Sequence, residues 1–167
     1  MTSVCSNNAK NILVLCTRSP ARSILLEFPL NAHGARHWWA YFVRSQPGGW
    51  VHPHAMLLLC RQNHDGGELS SKIWNEFAKP DAPVMDLMIT ICGAAATQTC
   101  PIWSGAPIRA HCGINDPAAA PQTNSGSAVQ SVSDLLSRRT LDFMEIPLQT
   151  MQAIDLKYAV AKIGTIP

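Results

Sequence analysis

The run Ile12-Leu-Val-Leu15 is apolar at every position and stops at Cys16. A continuous apolar run of this length, without alternation, marks a strand covered on both faces. From Ala21 to Ala32 the chain has helical composition, and Gly34 behind it is a natural residue to end a helix. Ala40 to Val43 predicts a second strand, closed by the turn signal Gln46-Pro-Gly-Gly49. Pro53 to Arg61 predicts a helix with proline in its first turn. The clearest strand is DLMITIC, Asp86 to Cys92. A loop with Pro101, Gly105 and Pro107 then leads to a short strand over Ile108 to Cys112. Asn115 to Ser127 is the most loop-like segment. Beyond it Val132, Leu135, Leu136, Leu141 and Met144 recur at helical spacing, which predicts a helix over Val129 to Met144. A last helix is predicted over Leu148 to Ala161.

Strands alternating with helices across short loops imply an α/β fold, a parallel sheet with helices on both faces. No internal repeat or linker divides the 167 residues, so residues 1–167 form one domain with residues 1–10 as a flexible N-terminus. In such sheets ligands bind beyond the carboxyl ends of the strands. Cys16, Cys92 and Cys112 each stand at such an end.

Composition narrows the classes. Hydrophobic residues make up 47% and charged residues 14%, as in a folded globule. A net charge of +2, with no basic cluster beyond Arg138-Arg139, gives no footprint for nucleic acid. No apolar stretch is long enough to span a bilayer, and MTSVCSNNAK has neither a charged nor an apolar signal region, so a cytoplasmic protein is expected. Six cysteines in such a chain are expected to be thiols, some of them redox-active, in preference to a disulfide set. Their spacing does not fit zinc, and His52, His54, Cys60 and His64 make a poor ligand set, so no metal site is assigned. Cys60 is expected in the core.

The stretch NILVLCTRSPARSIL carries the candidate chemistry. A strand, a tight loop and a helix N-terminus form an anion site, because backbone N–H groups converge and the helix dipole adds positive charge. Cys16 at its start is a candidate nucleophile with a stabilised thiolate. Arg22 at its far end can grip two oxygens of a tetrahedral oxyanion in its planar fork. Thr17, Arg18, Ser19, Ala21 and Ser23 complete the candidate binding loop, with the Ser23 hydroxyl able to donate to the sulfur. The Cys-x5-Arg spacing alone is weak, since roughly 0.3 such pairs arise by chance in this composition; the strand before and the helix behind give it weight. Asp116 in HCGINDP, just past a strand end, is a candidate general acid. Cys92 and Cys100 flank the small-residue segment GAAATQT, and if that segment is mobile they can approach each other and Cys16 for thiol–disulfide exchange.

These pieces together resemble the arsenate reductases of the low-molecular-weight tyrosine phosphatase-like family. The matching segments run from about Asn11 to about Asp142: NILVLCTRSPARSIL, SQPGG, SSKIWNEFAKPDAPVMDLMITIC, the CPIW from Cys100, and HCGINDP. The resemblance implies a four-stranded parallel sheet with helices on both sides. It also implies that Cys16 attacks arsenate while Arg22 and the loop amides hold its oxygens and Asp116 acts as general acid. Cys92 would then attack the Cys16–arsenic adduct, releasing arsenite and leaving a Cys16–Cys92 disulfide. Cys100 would take over to give Cys92–Cys100, for reduction by an external thiol system, typically thioredoxin. No tightly bound cofactor is implied.

The chain departs from the family pattern at several positions. Arg18-Ser19-Pro20 stand where the family has Gly-Asn-Ser. Arginine resists the left-handed backbone that glycine permits by roughly 1 kcal/mol, and Pro20 removes one N–H from the cradle. Pro29 is expected to kink or shorten the first helix. Phe42, Val43 and Arg44 replace Ser-Ala-Gly, putting bulk behind the loop. Gly93 replaces an acidic residue and Cys112 a tryptophan. These replacements count against the family's monovalent-cation site. Two other readings stay open: a phosphatase hydrolysing phosphate monoesters through the same loop, and an oxyanion-binding homologue without catalysis. The phosphatases have no need of Cys92 and Cys100 and place a tyrosine beside the acid, where Ala118 stands here.

Overall fold

The computed structural model describes residues 9–17, 20–34, 37–46, 53–62, 72–99, 101, 103, 105, 107–119 and 121–167. The side chains of residues 20, 21, 23, 24, 27, 28, 33 and 118 are outside this description, as are the predicted flexible terminus up to residue 8 and the turn at 47–49. The chain alternates β1 (Lys10–Cys16), α1 (Pro20–Gly34), β2 (Trp38–Arg44), α2 (Pro53–Arg61), β3 (Lys72–Ile73), β4 (Leu87–Thr90), α3 (Gly93–Thr97), β5 (Ile108–His111), α4 (Ser125–Met144) and α5 (Ala153–Ile163). The strands form one sheet in the order β3-β2-β1-β4-β5, with every pair parallel.

The α/β fold follows the expected alternation, but the sheet has five strands instead of four. The fifth is the two-residue β3, too short to show a hydrophobic pattern, which extends the β2 edge through Val43–Lys72 and Arg44–Ile73. The apolar run is the central strand: Ile12, Leu13, Val14, Leu15 and Cys16 are all fully buried. Alternation sends Ile12 and Val14 to one face with their register partners Ala40, Phe42, Leu87 and Ile89. On that face α1 packs beside α4, and Trp38 meets Phe143 edge-on at 5.3 Å between ring centroids. On the other face Tyr41 stacks against Phe77, which sits in a 3-10 turn over Trp74–Ala78. The outer strand β5 is covered by α5.

Several expectations change in detail. Pro29 does not cut α1 short; the helix runs on to Gly34, because proline removes only one intrahelical donor and burial of Leu25, Leu26 and Leu30 holds the rest. The small-residue segment read as a loop after Cys92 forms the one-turn helix α3 over Gly93–Thr97. The loop-like stretch 115–127 contains two 3-10 turns and already starts α4 at Ser125. Cys60 is exposed, not core: α2 buries Ala55, Leu58 and Leu59, and a further 100° of helical rotation carries residue 60 away from that face.

Gly34 earns its place by volume. The Trp38 indole lies where a Cβ on residue 34 would be, and its Nε1 donates to the Leu30 carbonyl at 3.1 Å. Gly34→Ala should therefore displace the ring and lower stability by about 1–3 kcal/mol, read as a fall in the urea midpoint at unchanged slope.

Candidate active site

Parallel register brings the strand ends level. Cys16 is paired with Arg44, Leu15 with Thr90, and Thr90 with His111. The ladders continue past the strands, with Ser45 N–H donating to the Cys16 carbonyl at 3.3 Å and Ile91 N–H to the Leu15 carbonyl at 3.1 Å. Residues just beyond these ends therefore meet at one edge of the sheet.

Cys92 occupies the N-cap position of α3 in extended conformation, and its Sγ accepts from the Ala95 N–H at 3.3 Å. Thr17 Oγ1 lies 3.1 Å from the same sulfur. The Cys16 thiol also hydrogen-bonds it. Cys16 and Cys92 are thus in direct contact and both are buried. The bond from Cys16 is the largest influence on Cys92; burial opposes it, and Thr17 and the Ala95 N–H add to it, so that the thiol falls to about 4.

Arg22, in the first turn of α1, is buried. Its guanidinium donates to the Ile114 carbonyl at 2.9 Å and to Asp116 Oδ2 at 3.3 Å, while its Nε–H is buried with no hydrogen-bond partner among the described residues. A buried unpaired donor on a cation is costly unless an acceptor arrives. The Ser45 hydroxyl, one residue past β2, is a second buried polar atom in this state.

Of the residues selected from sequence, Cys16, Thr17, Cys92, Arg22 and Asp116 all lie at this edge. Thr17 engages the Cys92 sulfur. Arg18, Ser19 and Cys100 lie outside the described residues, as do His52 and His64 and the side chains of Ala21 and Ser23. Cys112 lies one residue past the end of β5, where Arg139 reaches it. Burial raises its pKa, Arg139 opposes that, and Arg139 Nη1 approaches the sulfur at 3.8 Å. Among the described residues no three His, Cys, Asp or Glu side chains cluster as metal ligands.

Two buried arginines have no role in the sequence reading, which gave Arg44 only as bulk behind the loop. Arg139 on α4 is buried and spans Gly113 O at 2.8 Å and Ile166 O at 2.7 and 3.1 Å, tethering the segment that carries Asp116. Arg44 is buried at the level of Cys16; burial lowers its pKa and the neighbouring Cys16 opposes that. Nothing local distinguishes either from a surface arginine.

No family model matches the chain. An arsenate reductase from Bacillus licheniformis is 31% identical over 138 residues, covering 81% of this chain and 96% of that protein. The chain belongs to the arsenate reductase family. A second member, from Halalkalibacterium halodurans, is 29% identical over 140 residues, covering 83% of this chain and 97% of its own. The fold is shared with a thioredoxin-dependent arsenate reductase from Corynebacterium glutamicum at a TM-score of 0.58, with 15% identity over 89% of this chain and 66% of that one. It is shared equally with a low-molecular-weight protein tyrosine phosphatase from Streptococcus pyogenes, at 0.57 and 15% identity over 90% and 99% of the two chains. Members of the arsenate reductase family are thiol-dependent oxidoreductases. No helix among the described residues is long and apolar enough to cross a membrane.

The depressed Cys92 thiol gives a pH signature. Because the folded thiol is depressed, the stability it contributes is complete above about pH 8.5, where an unfolded thiol ionises, and is lost as pH falls through about 4. The stability gap between the wild type and Cys92→Ser should therefore narrow steadily from pH 9 to pH 4, measured by urea unfolding under reducing conditions.

Proposed function

We propose that this member of the arsenate reductase family reduces arsenate to arsenite, with Cys16 as nucleophile. The observation that carries the proposal is the hydrogen-bonded contact between Cys16 and Cys92. A phosphatase needs one sulfur at this place, whereas a two-electron reduction needs a second within bonding reach of the first.

The Arg22 fork, whose Nε–H lacks a partner, and the amides at the α1 N-terminus would hold the arsenate oxygens. The Cys16 thiolate attacks arsenic, and Asp116 gives a proton to the departing oxygen, which leaves as water. Cys92 then attacks the Cys16 sulfur. The sulfur–arsenic bond breaks, its electron pair stays on arsenic, and arsenite leaves as the Cys16–Cys92 disulfide forms.

Cys100 then attacks Cys92, expelling the Cys16 thiolate and making a Cys92–Cys100 disulfide. An external dithiol of the thioredoxin type reduces that bond; the Corynebacterium glutamicum relative is named for this dependence. For Cys100 to approach, α3 has to yield. It has only five residues and is capped by the Cys92 sulfur, so oxidation of that sulfur weakens the cap of a helix already short of independent stability.

Arsenate should drive NADPH oxidation in the presence of thioredoxin and its reductase. Cys16→Ser should abolish this, and Cys92→Ser should stop after less than one equivalent of arsenite per protein. If Cys92→Ser instead turns over phosphate monoesters at the wild-type rate and the wild type forms no arsenite, the phosphatase reading holds. Asp116→Asn should lower kcat by about 10²–10⁴-fold with little change in arsenate affinity, the usual weight of a positioned acid.

A further inference from the structure

Asp116 stands in the segment that leaves β5, and the backbone ahead of it is pinned. The Cys112 N–H donates to the Thr90 carbonyl at 2.9 Å and the Ile114 N–H to the Ile91 carbonyl at 3.0 Å, so the ladder with β4 runs on past both strands. Between them lies Gly113, where a Cβ would meet His111 Nε2 at 2.9 Å. Glycine leaves the backbone free to turn at that point, so the peptide joining Gly113 to Ile114 needs a hold from outside. Ile91 takes its N–H end. Arg139 takes its carbonyl end, with Nη1 donating to Gly113 O at 2.8 Å. The Nε and Nη2 of the same guanidinium donate to the Ile166 carbonyl at 3.1 and 2.7 Å.

Arg139 is itself buried. A guanidinium withdrawn from water and bonded to main-chain carbonyls fixes that main chain, because its charge-assisted bonds are strong and its planar fork sets their directions. One side chain thus joins α4, the turn after α5 and the segment before Asp116. Gly164 packs the same turn onto the start of that segment, since a Cβ there would lie 2.9 Å from Cys112 Cα. The next carbonyl along, Ile114 O, accepts from Arg22 Nη1 at 2.9 Å, and Asp116 Oδ2 accepts from Arg22 Nη2 at 3.3 Å. The orientation of the Gly113–Ile114 peptide therefore sets where both of these acceptors stand.

We propose that Arg139, anchored on the Ile166 carbonyl, is a positioning residue that orients this peptide and so holds Asp116 and Arg22 in their paired geometry for the acid step. This rests on the proposed role of Asp116 as general acid. The anchor belongs to a part of the chain beyond the segments that resemble the family, which end near Asp142.

The hold on the segment is tested without substrate. Residue-resolved amide hydrogen exchange on the reduced full-length protein compares Ile114 with Cys112, two residues earlier in the same ladder. Arg139→Met should speed exchange at Ile114 by about tenfold or more and leave Cys112 within about twofold of the wild type. General loss of stability would move both alike, so equal acceleration, or none at Ile114, overturns the proposal. Should Arg139→Met fail to fold by circular dichroism, Arg139→Gln, too short to bridge both carbonyls, gives the same comparison.

The link to the acid is a double-mutant cycle, run on whichever of arsenate and p-nitrophenyl phosphate the wild type turns over. The Arg139 substitution should lower kcat by about tenfold or more beside Asp116, and by less than about twofold in Asp116→Asn. A group that acts through the acid has nothing left to act on once the acid is gone. An equal loss in both backgrounds overturns the positioning role. A wild type that turns over the phosphate ester but not arsenate sinks the reductase reading alone; one that turns over neither overturns the positioning role with it.

Discussion

The registered pairing of β1 with its neighbours is the constraint on which the rest depends. Seven residue pairs join β1 to β2, from Lys10–Trp38 to Cys16–Arg44, and four more join it to β4. Asp86 fixes the far end of this arrangement, accepting from Lys10 Nζ and from the Asn11 N–H, each at 2.9 Å. A slip of one residue would turn every β1 side chain to the opposite face. It would bury Lys10, separate Cys16 from Arg44 and remove the Cys16 sulfur from Cys92. The chemistry at the carboxyl edge is thus held by hydrogen bonds along the whole strand, including an ion pair six residues away.

Burial of charge is the second theme. Arg22, Arg44 and Arg139 are all withdrawn from water, each at a cost that only specific partners offset. Arg139 is satisfied by carbonyls of Gly113 and Ile166 and serves to hold a loop. Arg22 is satisfied on one side only, by Ile114 and Asp116, and leaves a donor for a ligand. Arg44 has Cys16 as its register partner, and Cys16 opposes the lowering of its pKa by burial. Where the family places a small residue behind the loop, this chain places a cation, so the change adds electrostatics to the site as well as bulk.

The elements were largely legible because their burial is strong and local. The four-residue apolar run Ile12–Leu15 could only be a covered strand, and the helix over Pro53–Arg61 matches its predicted bounds. What escaped was short or tertiary in origin. β3 has two residues and no periodicity of its own. α3 reads as a loop from its glycine and alanines, because its cap is a cysteine sulfur and not a hydroxyl or carboxylate. Cys60 was misplaced because an apolar-looking helix does not announce which face its neighbours will cover.

Sequence by itself determined the parallel α/β architecture, the nucleophile candidate Cys16, and the set Arg22, Asp116 and Cys92 around it. These follow from residue type and from position relative to strand ends, which are local properties of the chain. Only the tertiary structure decided that the Cys92 sulfur is hydrogen-bonded by Cys16, Thr17 and the Ala95 N–H, that Arg22 binds Asp116 while its Nε–H finds no partner among the described residues, and that Arg44 is buried in register with Cys16. Each of those depends on residues from different strands meeting at one level with water excluded. Strand register and burial settle that, and neither is written in any single segment.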